Sequence, residues 1–308
     1  MKTIFVQIIR FVLFPLICLV SLLPLPILYG ISYVFVVLPM QGLGYRKTVV
    51  LDNLVKAFPE KTEKERFEIA RQFYRYLGRV VAESLWLFTA PCKRMLKRFS
   101  VKNAYVLEAL QQEGKSVIVM IPHMGNWEFL KTCSCPQYKT FCGYYQHQLH
   151  MVYQKVNSPV FEALLYRMRS RHKTGWRILE SRQLARYMAA YKNIPGVYAM
   201  VADQCPGPAG KSITVSFLGR PTLMIAGPEY LAGKFGLAVV YGVVKEESRG
   251  KYALHFRLIT KDASVEEQGM VTTTFARLLE EDIRQNVHLW LWSHRRWKRI
   301  PSEEARNL

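Results

Sequence analysis

From Phe11 to Tyr45 the chain carries no Asp, Glu, Lys, Arg or His. A run of that kind belongs in lipid or in a protein core, because a water-exposed surface rarely does without charge. A membrane span needs about 20 apolar residues. This run is longer, but Pro24 and Pro26 interrupt it in "SLLPLPILYG". The pattern predicts a helix from about Ile4 to Leu23, a bend, and a second apolar helix to about Leu38. Each arm is short for a full crossing. The segment is therefore expected to be one membrane-embedded anchor, spanning or re-entrant, with a buried core hairpin as the competing arrangement. A signal peptide would show a shorter apolar core and a small-residue cleavage site, and neither is present. Arg46, Lys47, Lys56, Lys61, Lys64 and Arg66 crowd the residues that follow, which by the positive-inside rule places the body on the cytoplasmic side. The expected division is an anchor over 1–45 and a folded body over 46–308.

The body must meet something anionic. Lys and Arg outnumber Asp and Glu by 43 to 23, a net charge of +20 in 308 residues. Nucleic acid, a membrane surface or an acidic substrate would each satisfy that balance. Nucleic acid is excluded on pattern: there is no recognition helix, zinc-finger or RNP signature. The six cysteines are irregularly spaced and do not read as a disulfide framework, in keeping with a reducing compartment.

Along the body, "TEKERFEIARQFYRYLGRVVAESLWLF" reads as a helix opened by a Thr62–Glu65 capping box and closed before Pro91. Strands are then predicted at Val117–Ile121, Phe141–Tyr145, Val197–Ala202, Leu237–Val244 and Tyr252–Ile259. Helices are predicted at Pro159–His172, Arg182–Tyr191, Ile225–Phe235 and Val271–Gln285. Near-continuous apolar strands alternating with amphipathic helices imply an α/β fold, an αβα layered sandwich with a mixed, mostly parallel sheet. Ligands bind outside the carboxyl ends of such strands. Two strand ends carry titratable residues, His123 after "VIVMIP" and Asp203 after "VYAMVA", and parallel strands would bring them to one edge.

In "VIVMIPHMGNWEFL" a glutamate follows the histidine by five positions. On one continuous helix that spacing is about 500° of rotation, which points the two side chains apart. They meet only if His123 lies in the turn and Glu128 in the first helical turn after it. Such a pair is a candidate catalytic dyad, with the carboxylate fixing the tautomer and the free ring nitrogen taking a proton from a hydroxyl. Other candidate patterns are weaker. "CPGPAGKS" nearly matches a phosphate-binding loop, but Cys205 replaces the first glycine and a strand-like "ITVSF" follows where a helix should start, so a turn is expected. Cys133, Cys135, Cys142, His147 and His150 are poorly spaced for one tetrahedral ion, and no metal is expected there. There is no G-x-S-x-G nucleophile elbow. At the C-terminus, "HLWLWSHRRWKRIP" interleaves Trp290, Trp292 and Trp297 with Arg295, Arg296, Lys298 and Arg299. That mixture suits a lipid–water interface, with arginines forking onto phosphate.

Taken together these blocks resemble the late acyltransferases of lipid A biosynthesis, within the lysophospholipid acyltransferase superfamily. The resemblance runs through "NLVKAFPE", "HMGNWE" (the family's H-x4-D/E motif), "VYQKVNSP" with "RMRSRHKTG", "ADQCPG" with "VSFLGRPTLMIAGPEYLAGKFG", and the closing "LWSHRRWK". It implies a cytoplasmic face on the bacterial inner membrane, an acyl thioester donor (usually acyl carrier protein, with acyl-CoA the alternative), an anionic lipid A precursor as acceptor, and no cofactor. On this reading His123 is the general base and Glu128 orients its imidazole. Asn126, Arg169, Asp203, Gln204, Arg295 and Arg296 bind substrate: Asp203 positions the acceptor, and the three arginines hold phosphates of the lipid or of the carrier's pantetheine arm. Backbone N–H groups at Gly125 and Asn126 are candidates for the oxyanion. The second block commonly reads Tyr-Arg-Pro; here Gln154 and Lys155 take the last two places, and Arg169 is the better match to a family arginine. Two alternatives stand beside this: a related enzyme acting on a lysophospholipid, aminolipid or other glycolipid, and a catalytically idle membrane scaffold that recruits acyl carrier protein.

Overall fold

A computed structural model describes residues 2–156, 158–172, 176–208 and 210–299, with side chains from Val12 onward. At the N-terminus α1 (Lys2–Ser21) is followed by α2 (Leu25–Ser32), which continues through a π-helical turn (Tyr33–Val37) into α3 (Leu38–Gly42). The bend falls where the prolines put it. Pro24 sits at the N-cap of α2, and Pro26 lies in its first turn, where a missing N–H breaks no helical hydrogen bond. Leu25–Gly42 is long and apolar enough to cross a bilayer, and only 22% of it is buried within the protein. That exposure separates it from an ordinary core helix; Val34, Phe35, Leu38 and Leu43 face outward.

The buried side of that helix seats on the long basic one. After α4 (Lys47–Ala57), α5 (Glu63–Trp86) starts at the expected capping box, in which the Glu65 carboxylate accepts from the Thr62 backbone N–H. The Ser32 hydroxyl donates to Gly78 O at 2.6 Å, and a Cβ on Gly78 would run into Val37, so a glycine is what lets the two helices approach.

The remaining chain alternates strand and helix. It runs α6 (Cys92–Leu96), β1 (Phe99–Val101), α7 (Tyr105–Gln112), β2 (Val117–Ile121), a 3-10 helix (Trp127–Ser134), β3 (Thr140–Phe141), β4 (Tyr144–Tyr145) and β5 (Leu149–Tyr153). It continues with α8 (Pro159–Arg169), β6 (Arg177–Glu180), α9 (Leu184–Ala190), β7 (Val197–Val201), β8 (Ser212–Phe217), β9 (Arg220–Ile225), α10 (Gly227–Phe235), β10 (Ala238–Ser248), β11 (Lys251–Thr260) and α11 (Met270–Gln285). Seven strands form the main sheet in the order β1-β11-β10-β2-β7-β5-β6. β10, β2, β7, β5 and β6 are parallel; β11 returns antiparallel to β10, with β1 parallel to it. Ile118 and Met120 of β2 enter one core with Tyr76 and Phe275, while Val117, Val119 and Ile121 enter the other with Trp86 and Phe129. Both faces are covered, which is why the strand is apolar without alternation.

Three local features refine the expected pattern. The strand expected at Phe141–Tyr145 is a miniature hairpin of β3 and β4, turned at Cys142 and Gly143, both with positive φ. "ITVSF" is β8 of a separate hairpin with β9, turning at Leu218–Gly219. The edge strand β6 and its neighbour β5 carry polar residues within a few positions and did not show as apolar runs.

Candidate active site

β2 and β7 pair in parallel, so both release their chains at one edge, and there His123 and Asp203 meet. The His123 backbone N–H donates to Asp203 Oδ2 at 2.9 Å, and ring Nδ1 lies 2.7 Å from Oδ1. An ionised carboxylate only accepts, so Nδ1 carries the proton and Nε2 keeps a lone pair. Trp290 Nε1 donates to Asp203 Oδ2 at 2.7 Å from the opposite side. Burial by itself would push the Asp203 carboxyl up; the imidazole, the indole N–H and the His123 backbone N–H outweigh it and hold the group below the usual range. The Asp203 side chain is 2% exposed and that of His123 16%, which leaves the imidazole reachable from the rim while its carboxylate is sealed.

Glu128 is placed differently from the expected dyad. The turn is as anticipated: Gly125 takes positive φ (59°), and the Asn126 side chain caps the 3-10 helix by accepting from the Glu128 backbone N–H at 3.2 Å. But the Glu128 carboxylate turns to Arg169, which donates through Nε to Oε2 at 3.0 Å and through Nη2 to Oε1 at 2.5 Å. Trp127 Nε1 donates to Oε1 at 3.2 Å, and the Trp127 ring meets the His123 ring edge-on at 4.9 Å between centroids. The imidazole proton is taken by Asp203, so the direct orienting bond falls to Asp203 rather than to Glu128. The reason is topological: the neighbouring parallel strand delivers a carboxylate level with Nδ1, whereas the 3-10 helix carries Glu128 toward α8. Burial would raise the Glu128 carboxyl as well; the Arg169 charge and hydrogen bonds prevail, with the Trp127 indole N–H adding to them, and lower it.

The other anticipated residues divide. Gln204 stands at the rim, its Nε2 3.4 Å from His123 Nε2. Arg169 is brought to the site, but as the partner of Glu128 rather than as a free phosphate ligand. Asn126 is fully buried, and its amide donates to Glu83 Oε2 at 2.7 Å. The Gly125 N–H is committed to Leu289 O at 3.2 Å and is not free for an oxyanion. Arg295 is exposed. Arg296 is buried, 1% exposed, with its guanidinium against Met224 Sδ and over the Phe217 ring, and burial lowers it to about 10. It stands in the core and presents nothing to a phosphate.

The C-terminal tryptophans are also interior, where a lipid interface had been anticipated. Trp290 and Trp292 pack edge-to-face at 4.8 Å, and Trp297 donates to Thr222 Oγ1 at 2.9 Å. Asn53 Nδ2 donates to the carbonyls of Trp292 (2.8 Å) and His294 (2.7 Å), so the segment "NLVKAFPE" braces the strap that reaches Asp203. In the same loop the Cys205 N–H donates to His294 Nε2 at 3.0 Å. Glu83 belongs to no motif legible in the sequence. Its Oε1 accepts from Tyr29 of α2 at 2.6 Å, and its Oε2 accepts from Asn126 and from Tyr252, both at 2.7 Å. The only signal was a lone carboxylate amid the apolar "VVAESLW". Residues 205–208 and 210–211 form the expected loop before β8, with no helix to make a phosphate cradle.

A reachable imidazole with a sealed carboxylate at the carboxyl edge of an αβα sandwich is equipment for activating a hydroxyl in group transfer. The chain belongs to the bacterial lipid A biosynthesis acyltransferase family, whose model matches residues 4–299, and is accordingly an O-acyltransferase. It is 22% identical to the lipid A biosynthesis palmitoleoyltransferase of Escherichia coli (strain K12) over 289 residues, which cover 92% of this chain and 89% of that relative. It resembles a lipid A biosynthesis acyltransferase of Shigella flexneri to the same extent.

Proposed function

We propose that this protein is a membrane-attached transferase that moves a fatty acyl chain from the thioester of acyl carrier protein to a hydroxyl of a lipid A precursor. Residues 1–45 serve as the anchor, and 46–308 as the catalytic domain on the cytoplasmic face of the inner membrane. The observation that carries the mechanism is the 2.7 Å His123–Asp203 contact, which leaves Nε2 basic and facing the rim. The acceptor hydroxyl gives its proton to Nε2 as its oxygen attacks the thioester carbon. A tetrahedral oxyanion forms, the C–S bond breaks, and the imidazolium returns the proton to the leaving thiolate. No acyl-enzyme is needed. Asp203 fixes the tautomer and stabilises the imidazolium; base catalysis of this kind is worth about 10²–10⁴-fold. Glu128 acts on the same charge through space, locked in place by Arg169. The Gln204 amide, beside Nε2, serves as the hydrogen-bond donor to the developing oxyanion.

Two features favour an acceptor taken from the membrane surface, and the second favours an anionic one. Glu83 links Tyr29 of the apolar helix to Asn126 of the catalytic turn, so membrane seating and site share one hydrogen-bonded post. Beside the Pro24–Pro26 bend lies a cleft lined by Trp86, Arg94, Lys97, Arg98 and Lys251, suited to phosphate at the bilayer surface. Mass spectrometry of lipid A from cells with and without the gene tests the reading. One acyl chain should be missing in its absence. Unchanged lipid A with an altered phospholipid profile would assign a different acceptor.

A further inference from the structure

Away from the base, the fold gathers a second group of reactive side chains that the transfer reaction does not use. Cys92 opens α6, Cys135 ends the 3-10 helix that begins beside Glu128, and His172 follows α8, which carries Arg169. One ligand atom from each lies within 4.8 Å of the other two. The Cys92 sulfur is 3.3 Å from His172 Nε2 and 3.7 Å from Nδ1. For a tetrahedral ion with metal–sulfur bonds of about 2.3 Å and metal–nitrogen bonds of about 2.0 Å, donor atoms stand roughly 3.5–3.8 Å apart. The Cys92–His172 pair is within tenths of an ångström of such an edge, and Cys135 lies within 4.8 Å of both.

We propose that Cys92, Cys135 and His172 form a metal site for a thiophilic divalent ion of the zinc type. His172 ligates through Nε2. Its Nδ1 lies 3.4 Å from Ser134 Oγ, whose hydroxyl donates to Lys131 O at 2.7 Å, so an Nδ1–H has an acceptor in place and the tautomer that frees Nε2 is supported from behind. Two thiolates balance the charge of the ion. Arg171, which approaches His172 Nε2 at 3.2 Å, is also held by the carbonyls of Phe88 and Ala90 and can give up that contact. His172 is only half-buried, which leaves the fourth position to water. The site would tie together the two segments that deliver Glu128 and Arg169, making the ion a clamp on that ion pair rather than a participant in the chemistry. The cysteines and histidines weighed together in the sequence, Cys133, Cys135, Cys142, His147 and His150, are not the set the fold assembles: among the described residues only Cys135 joins a potential site.

The test uses full-length protein purified in detergent under reducing conditions without chelator. Elemental analysis should find one equivalent of zinc per chain, lost in Cys92→Ser and in His172→Ala and retained in Cys133→Ser, whose thiol is buried elsewhere. Cobalt(II) added to metal-stripped wild-type protein should give thiolate-to-cobalt charge-transfer absorption, a readout that needs no variant to fold. Cobalt that binds without those bands, a metal content unchanged by Cys92→Ser, or a Cys92–Cys135 disulfide in freshly isolated protein would each overturn the assignment.

Discussion

At the scale of single residues, the site is a competition for one imidazole proton, and Asp203 holds it. Replacing Asp203 by Asn removes the acceptor charge while keeping the shape, leaving an amide that can present a donor to Nδ1. kcat should fall about 10²–10⁴-fold with KM little changed; a loss confined to KM would return Asp203 to the acceptor-positioning role anticipated from sequence. The same carboxylates set the acid limit of the fold. Asp203 and Glu128 are held below their ordinary values of 3.8 and 4.5, so they contribute stability that is fully present above those values. It is lost as pH falls through the depressed folded values. Glu83 has the opposite sign: burial raises it, so its charged form costs stability near neutrality, a cost relieved on acidification toward 4.5. Burial lowers His150 and His294 to about 4, so their neutral forms contribute stability that is fully present above 6.5 and is lost on acidification below it. Thermal melts followed from neutrality downward should therefore show a gradual loss from about pH 6.5 that steepens below about 4.5, and Asp203→Asn should flatten part of the steep limb. His123, Glu128 and Asp203 were legible in the sequence because each follows a strand or turn of strong pattern. Which carboxylate faces the ring was not, because that depends on the register of β2 against β7, fixed by pairings far apart in sequence.

At the scale of elements, the catalytic turn depends on a glycine. Gly125 takes φ 59°, and a Cβ there would collide with the Val244 carbonyl of β10. The Tyr76 hydroxyl donates to its carbonyl and fixes the turn from α5. Gly125→Ala should cost about 1–3 kcal/mol from backbone conformation and a comparable amount from the collision. A melting temperature and transfer rate equal to wild type would show that the turn relaxes freely. The elements found from sequence were those with a clear apolar period: α5, β2, α8, α9, β7, α10, β10, β11 and α11 lie within a few residues of expectation except where β10 runs on past Val244. β8 was legible as the strand-like "ITVSF", but its partner β9 and the turn between them escaped because Leu218 stands where Asn or Asp usually announces such a turn. The C-terminal strap was misplaced for a related reason. Tryptophans interleaved with arginines look interfacial in one dimension, and only the closing of the strap over the sheet puts Trp290 on Asp203.

At the scale of the whole molecule, the proposed anchor and the catalytic turn are a single construction joined at Glu83, and a basic cleft lies beside the bend. Phe35 and Leu38 point outward from the apolar helix. The double substitution Phe35→Lys, Leu38→Lys should leave the melting temperature nearly unchanged while sharply reducing co-sedimentation with anionic vesicles; undiminished sedimentation would move the membrane contact elsewhere. With a net charge of +20, transfer from an acidic carrier should also weaken as salt rises, read as a falling kcat/KM between low and physiological ionic strength.

The most direct test of the proposed chemistry is single-turnover acyl transfer by His123→Ala, with circular dichroism and vesicle binding measured on the same preparation. Removal of the base should leave a folded, membrane-binding protein with no transfer above background. A folded variant that still moves the acyl chain at the wild-type rate would contradict the account.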